Sequence, residues 1–293
     1  MQMHIGQPNL PEPACLAIIT ASAAEAAHVR QRLVIKDKIT QALGTLWHGR
    51  CRAQDVVLLR CGIGPERAVS GLRWLYGHYR LWGVLNVGFA GSLQPRIATG
   101  DAVWVTHVDT VATYAVRNDP DLKPDRTLSS LVAAAASRAG LMWHCGLLLS
   151  SDKLVSQAPT KRQLGEQSGA LAVDMESYSL GREAARLLLP FAIMRTIFDT
   201  CHDDLRFPVD RCLSADGRLR YRSLAAYIAL HPRMLLGLPD LAHKARLAGK
   251  HLDTWLDRFF AILDQQTTCL QRHTLVPRRR DIEPDIDLQA DEP

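Results

Sequence analysis

Short apolar runs ending on glycine or on a carboxylate alternate with helix-length segments through the first two hundred residues, and few folds accommodate this. Leu16–Ile19, Val56–Leu59, Val84–Val87, Asp101–Val108, Leu147–Ser150, Leu171–Val173 and Phe191–Phe198 read as buried strands. Between them, Ser22–Arg32, Pro65–Tyr79, Asp125–Ala139, Thr160–Gln167 and Met175–Leu188 read as helices. Ser22 suits an N-cap, with Glu25 three residues on in the capping-box position. Pro65 suits a first helical position, where its missing N–H costs nothing. Such alternation predicts an α/β fold, a mixed central sheet wrapped by helices. In such sheets ligands bind at the carboxyl ends of the strands.

Two of those ends carry acids. Leu171–Val173 leads into Asp174, Met175 and Glu176, and Phe191–Phe198 stops at Asp199. A carboxylate at the end of a buried strand is costly unless a ligand or partner uses it. Paired acids there suit a reaction that holds sugar hydroxyls and protonates a leaving group; the plainer alternative is that Asp174 or Glu176 caps the next helix. Gly62 and Gly64 stand between a strand and a helix start, where backbone amides can cradle an anion. Without a third glycine they do not make a dinucleotide fingerprint. The turn Asn86-Val87-Gly88-Phe89-Ala90-Gly91 lets a ligand approach the backbone closely, or is an ordinary strand-to-loop turn.

The chain has 293 residues, 47% of them apolar, enough for one large domain or a domain with an appendage. A net charge of +5 with scattered basic residues and no aromatic platform argues against nucleic acid as a partner. Seven cysteines, an odd number with no Cys-x-x-Cys pair, read as reduced thiols of a cytoplasmic protein. Residues 1–13 do not read as a signal peptide, and no apolar stretch is long enough to span a membrane. His107 with Asp109, and His202-Asp203-Asp204, lack a complete metal shell, so no metal is expected. No Gly-x-Ser-x-Gly elbow is present.

The character changes near Arg218. Leu219–Leu230 and Asp240–Leu263 read as helices, and 276–293 as a charged, proline-bearing tail. The expected organisation is an α/β domain over 14–210, a helical extension over 211–270 and a disordered tail over 271–293. The extension mixes Arg222, Arg233, Lys244, Arg246, Lys250 and Arg258 with Leu235, Leu236, Leu241, Trp255, Phe259 and Phe260. It suits either peripheral contact with an anionic inner-membrane surface or packing on the main domain.

Taken together, these motifs resemble the purine nucleoside phosphorylase and nucleosidase superfamily over roughly residues 15–205. The resemblance is to its methylthioadenosine/adenosylhomocysteine nucleosidases and hopanoid-associated phosphorylases, and it implies a homo-oligomer. Leu16–Glu25 resembles the first strand and helix, which implies that Glu25 orients an attacking water. Asn86–Gly91 resembles the segment backing ribose and base, bringing in Phe89, Ala90 and Gly91. Ser151-Asp152-Lys153-Leu154-Val155 resembles the loop that meets the purine. Val173–Glu176 resembles the ribose motif, with Met175 against the sugar and Glu176 on the 2′- and 3′-hydroxyls. Arg195–Asp199 resembles the strand whose last acid protonates purine N7. The chain departs from the nucleosidase pattern at Leu154, where an aromatic residue often stacks, and at Phe89 and Phe198, which replace small or hydroxyl residues. The phosphorylases' arginine is missing where Asn86-Val87 stands.

Leu205-x-x-Pro208, Ala215–Arg218 and His231-Pro232-Arg233 resemble the tail of the hopanoid-associated family. The resemblance therefore implies release of adenine from a 5′-modified adenosine, most specifically adenosylhopane. Either water or inorganic phosphate would attack, and no cofactor is needed. The alternatives are a methylthioadenosine/adenosylhomocysteine nucleosidase and a non-catalytic nucleoside-binding protein.

Overall fold

The computed structural model describes residues 14–112, 115–205 and 237–274, with the backbone alone for 112, 115–121 and 267–274. Ten strands share one sheet: β1 (Cys15–Thr20), β2 (Val34–Gln41), β3 (Gly44–Cys51), β4 (Gln54–Arg60), β5 (Leu81–Ser92), β6 (Ala102–Ala112), β7 (Ala115–Leu122), β8 (Trp143–Ser151), β9 (Ala172–Asp174) and β10 (Phe191–Asp199). Among the described residues six helices accompany them: α1 (Ala23–Arg30), α2 (Pro65–His78), α3 (Arg126–Arg138), α4 (Ala158–Ser168), α5 (Ser177–Arg186) and α6 (Leu238–Thr274). The pairing order is β10-β6-β8-β9-β5-β1-β4-β3-β2, and β10 also pairs with β5. That extra pairing closes β5, β10, β6, β8 and β9 into a circuit, with β1, β4, β3 and β2 as a wing. Within it β10–β5, β6–β8 and β8–β9 are parallel, while β10–β6 and β5–β9 are antiparallel. The mixed α/β architecture is the one expected.

The local signals act as read. Ser22 caps α1, with both capping-box bonds to and from Glu25 in place. Pro65 opens α2. The Asp125 side chain caps α3 by accepting from the Leu128 amide at 2.8 Å.

The hairpin β2–β3 has no counterpart in the sequence reading. β2 is solvated on both faces, so Val34–Gln41 lacks the apolar alternation that marks a half-buried strand. β3 starts at Gly44 with φ +139, and a β-carbon there would lie 2.1 Å from the Arg60 carbonyl oxygen. β5 is twelve residues long, running through its glycines to Ser92.

The carboxy-terminal helix belongs to the core. Leu252, Trp255, Leu256, Phe259 and Phe260 are buried in one cluster with Leu16, Ile18, Leu85, Val132 and Met194. The Trp255 indole N–H donates to the Val132 carbonyl at 3.1 Å. Of the two readings of the segment, packing on the main domain is the one seen over the described residues: the aromatic residues face the protein, while Arg246, Lys250 and Arg258 are solvated. Among the described residues no helix is long and apolar enough to cross a membrane. The expected helix over 219–230, the motifs over 208–233 and the tail over 276–293 lie outside the described residues.

Candidate active site

The end of β5 is the spine of the site. Capping holds Glu25 in the first turn of α1, and its carboxylate turns back onto the backbone. Oε2 accepts from the amides of Ser22 (2.7 Å) and Ala21 (3.1 Å), and Oε1 from the Phe89 amide at 2.8 Å. The approach is close enough that a β-carbon on Gly88 would sit 2.4 Å from Oε1. Three amide donors fix the position of this carboxylate. Three residues along β5, Gly91 meets the last residue of β10: a β-carbon there would lie 3.3 Å from an oxygen of Asp199.

Glu176 follows β9 and leads into α5. Its Oε1 accepts from the Gly64 amide at 2.9 Å, at the amino end of α2. Gly64 holds φ +114, which aims that amide at the carboxylate and which L side chains rarely adopt. Burial pushes the Glu176 carboxyl up to about 7, with Asp174 and Glu25 raising it and the Gly64 amide and Arg195 opposing. The buried Cys61 thiol is raised by burial, and also by Glu176 and Glu25, which face it.

Below these acids lies a closed polar network. Arg195, inside the apolar strand β10, donates to Asp174 Oδ2 through Nε (3.0 Å) and Nη2 (2.6 Å). Ser177 donates to the same oxygen and accepts from Asn86 Nδ2 at 3.0 Å, while Ser150 donates to Oδ1 at 2.5 Å. Asp174 was expected among the ligand contacts, and the geometry corrects this: both its oxygens are taken by protein donors. It anchors the segment that carries Met175 and Glu176.

Gly62 and Gly64 require a second correction. The Gly62 amide donates to the Ala21 carbonyl at 3.1 Å, and the Gly64 amide serves Glu176. The anion at this helix start is the protein's own carboxylate, so neither amide is open to an external one. Arg67 turns away, donating to the carbonyls of Cys61 (2.7 Å) and Ala42 (3.0 Å).

Asp199 is 4% exposed. Burial raises its carboxyl above the ordinary aspartate range, against the pull of Lys161, whose ammonium donates to Oδ2. Phe198 and Phe89 lie beside it with ring centroids 6.0 Å apart, and His28 meets the Phe89 edge at 6.3 Å. Ala90 is buried, Met175 and Leu154 are half-buried, and the Val155 side chain is in a core cluster with Leu149, Leu164 and Val173. Lys161 and Arg195 went unread in the sequence. Arg195 had a signal, a lone charge within an apolar run; Lys161 sits in a polar helical stretch and had none. The His202-Asp203-Asp204 cluster serves as caps: Asp203 accepts from the Thr200 amide and Asp204 from the Ala158 amide, each at 2.8 Å.

Residues 16–221 match the model of the phosphorylase superfamily. The chain belongs to that superfamily. Among curated relatives it is similar to the 5′-methylthioadenosine/S-adenosylhomocysteine nucleosidase of Geobacillus kaustophilus, 30% identical over 201 residues, 64% of this chain and 85% of the relative. The enzyme of the same name from Halalkalibacterium halodurans is 27% identical over 209 residues, 68% of this chain and 90% of the relative. Among solved structures, the Neisseria meningitidis nucleosidase in complex with methylthio-immucillin-A superposes with a TM-score of 0.65 at 18% identity, covering 86% of this chain and all of that one. Futalosine hydrolase of Helicobacter pylori superposes at 0.62 with 17% identity, covering 83% of this chain and 97% of that one. At those identities the structural likeness speaks for the fold.

Proposed function

We propose that this superfamily member hydrolyses the N-ribosidic bond of a purine nucleoside, releasing adenine from a 5′-substituted adenosine. One observation carries the reading: three buried carboxylates stand along the end of β5, Glu25 and Asp199 in the room that Gly88 and Gly91 leave, and Glu176 just after β9, which pairs with β5 at Gly91. Breaking that bond builds positive charge on the ribose, as in glycoside hydrolysis. The departing purine is a poor anion, so a proton delivered to N7 is what makes it leave. Asp199, raised by burial, is that general acid. Glu176 accepts from the ribose diol, and its charge offsets that of the sugar. Glu25, held by three backbone amides, orients the water.

The same geometry favours water over phosphate. A phosphate would meet Glu25, two glycine amides already engaged and Arg67 turned onto carbonyls. The relatives' names supply the first substrates to try, methylthioadenosine and adenosylhomocysteine. The Phe89–Phe198 pair supports an apolar 5′ substituent, from a methylthio group up to the lipid tail of adenosylhopane. The test is adenine release from this series, with and without phosphate. Release that needs no phosphate supports the assignment; strict dependence on phosphate overturns the role of Glu25. No release from any of the series overturns the reaction.

A further inference from the structure

Lys161 is wholly buried on the face of α4 that also buries Ala158, Leu164 and Gly165. A buried ammonium is stable only when paired and hydrogen-bonded. Its acidic partner is Asp199, and its remaining protons go to the carbonyls of Asp203 (2.9 Å) and Thr200 (3.2 Å). The surroundings are built to hold it. Asp204 caps α4 through the Ala158 amide, and the Leu205 amide donates to Ser156 at 2.8 Å, tying the loop after Asp199 to the start of α4. From α6, Lys244 pairs with Asp203 at 2.9 Å. Arg162, beside Lys161, turns to the Cys201 carbonyl. The charged groups that act on Asp199 are thus Lys161 from α4, Asp203 from the loop and Lys244 from α6, with Lys161 the one in contact.

We propose that Lys161 is a positioning residue for the general acid: it fixes one oxygen of Asp199, turns the other toward the base, and its charge sets the pH at which that acid holds its proton. Among the described residues Asp199 is hydrogen-bonded at Oδ2, by Lys161, which leaves Oδ1 to face a ligand; both oxygens lie near Gly91, whose β-carbon would stand 3.3 Å from Oδ2 and 3.4 Å from Oδ1. When the proton leaves Oδ1 for the purine nitrogen, the carboxylate left behind is stabilised by an ammonium already in place. The bond to the sugar breaks, and its electrons leave with the neutral base. The inference rests on the acid role proposed above for Asp199.

The test compares K161Q, K161M and K161R with the intact chain, with D199N in parallel. Asp199 must be protonated to act, so activity falls as pH rises through its titration. A contacting cation lowers a carboxyl titration by about 1–3 pH units. K161Q and K161M therefore move the alkaline limb of kcat upward by about that amount, with KM changed less than kcat. K161R keeps the limb in place while lowering kcat through altered aim. If K161M fails to fold, K161Q, which retains a donor, decides the matter. An alkaline limb unmoved in K161Q overturns the proposal. D199N as active as the intact chain overturns the acid role instead. If no nucleoside is cleaved at all, titration of ¹³C-labelled Asp carboxyls reads the same effect without substrate: Asp199 titrates higher in K161Q if the proposal holds, and unchanged if it fails.

Discussion

Gly88 shows how one missing side chain supports a site. Its hydrogen stands where a β-carbon would press within 2.4 Å of Glu25 Oε1. Gly88→Ala therefore displaces the carboxylate assigned to the water, and misplacement on the ångström scale costs about 100-fold in rate. We expect kcat to drop by that order; a rate within threefold of the intact chain would separate Glu25 from the chemistry. Glu176 governs pH dependence. Its carboxyl stands at about 7, above the ordinary 4.5, because it is buried. The folded chain then holds a proton that the unfolded chain has lost, so this group's contribution to stability is complete below about pH 4.5 and disappears as pH rises through about 7. The diol requires the ionised form, so kcat/KM should climb on the acid side through about pH 7. Denaturant midpoints of Glu176→Gln against pH should lose that descending slope; an unchanged slope would reject the raised titration. Glu176 and Asp199 stood out in the sequence because each follows an apolar strand, whereas Glu25 showed only as a capping-box residue and its proposed role came from the family resemblance. Asp174 was misread because an acid at a strand end looks alike whether it faces a ligand or a buried arginine.

Elements divide by how much of their role is local. α1 and α2 could be placed because Ser22 and Pro65 mark their starts in the chain itself. β2 and β3 could not, since their pairing is a tertiary fact and β2 is solvated on both faces. β9 is three residues long, and what it contributes depends on Asp174 meeting Arg195 of β10. That pair is almost wholly buried, so removing one partner leaves a charge without compensation. Arg195→Leu should cost about 3–5 kcal/mol in denaturant unfolding. Asp174→Asn together with Arg195→Leu should recover part of the loss, whereas purely additive losses would show that the two residues act independently.

At the scale of the whole molecule, α6 joins the two ends of the site. Asp253 of α6 takes Arg32 at 2.6 Å and His28 at 3.0 Å at the end of the helix that carries Glu25, and Lys244 holds the loop that follows Asp199. Between those contacts Trp255, Phe259 and Phe260 complete a core cluster that includes residues of β1, β4, β5 and β10. The change in composition near Arg218 is therefore no guide to independence, because the helix beyond it covers apolar surface that the α/β part cannot cover alone. Trp255→Ala should cost about 3–5 kcal/mol, the range for buried Trp truncation, seen as a lower denaturant midpoint at unchanged slope. Ending the chain after Leu205 goes further, exposing the whole apolar bed of α6. Such a chain should keep far-ultraviolet dichroism, lose near-ultraviolet dichroism and bind a hydrophobic dye, as expected when secondary structure outlasts specific packing. A cooperative thermal transition in the shortened chain, with adenine release intact, would instead make α6 an accessory. Loss of both would make it the last layer of a single fold, one helix bracing both the end of α1, which carries Glu25, and the loop that follows Asp199.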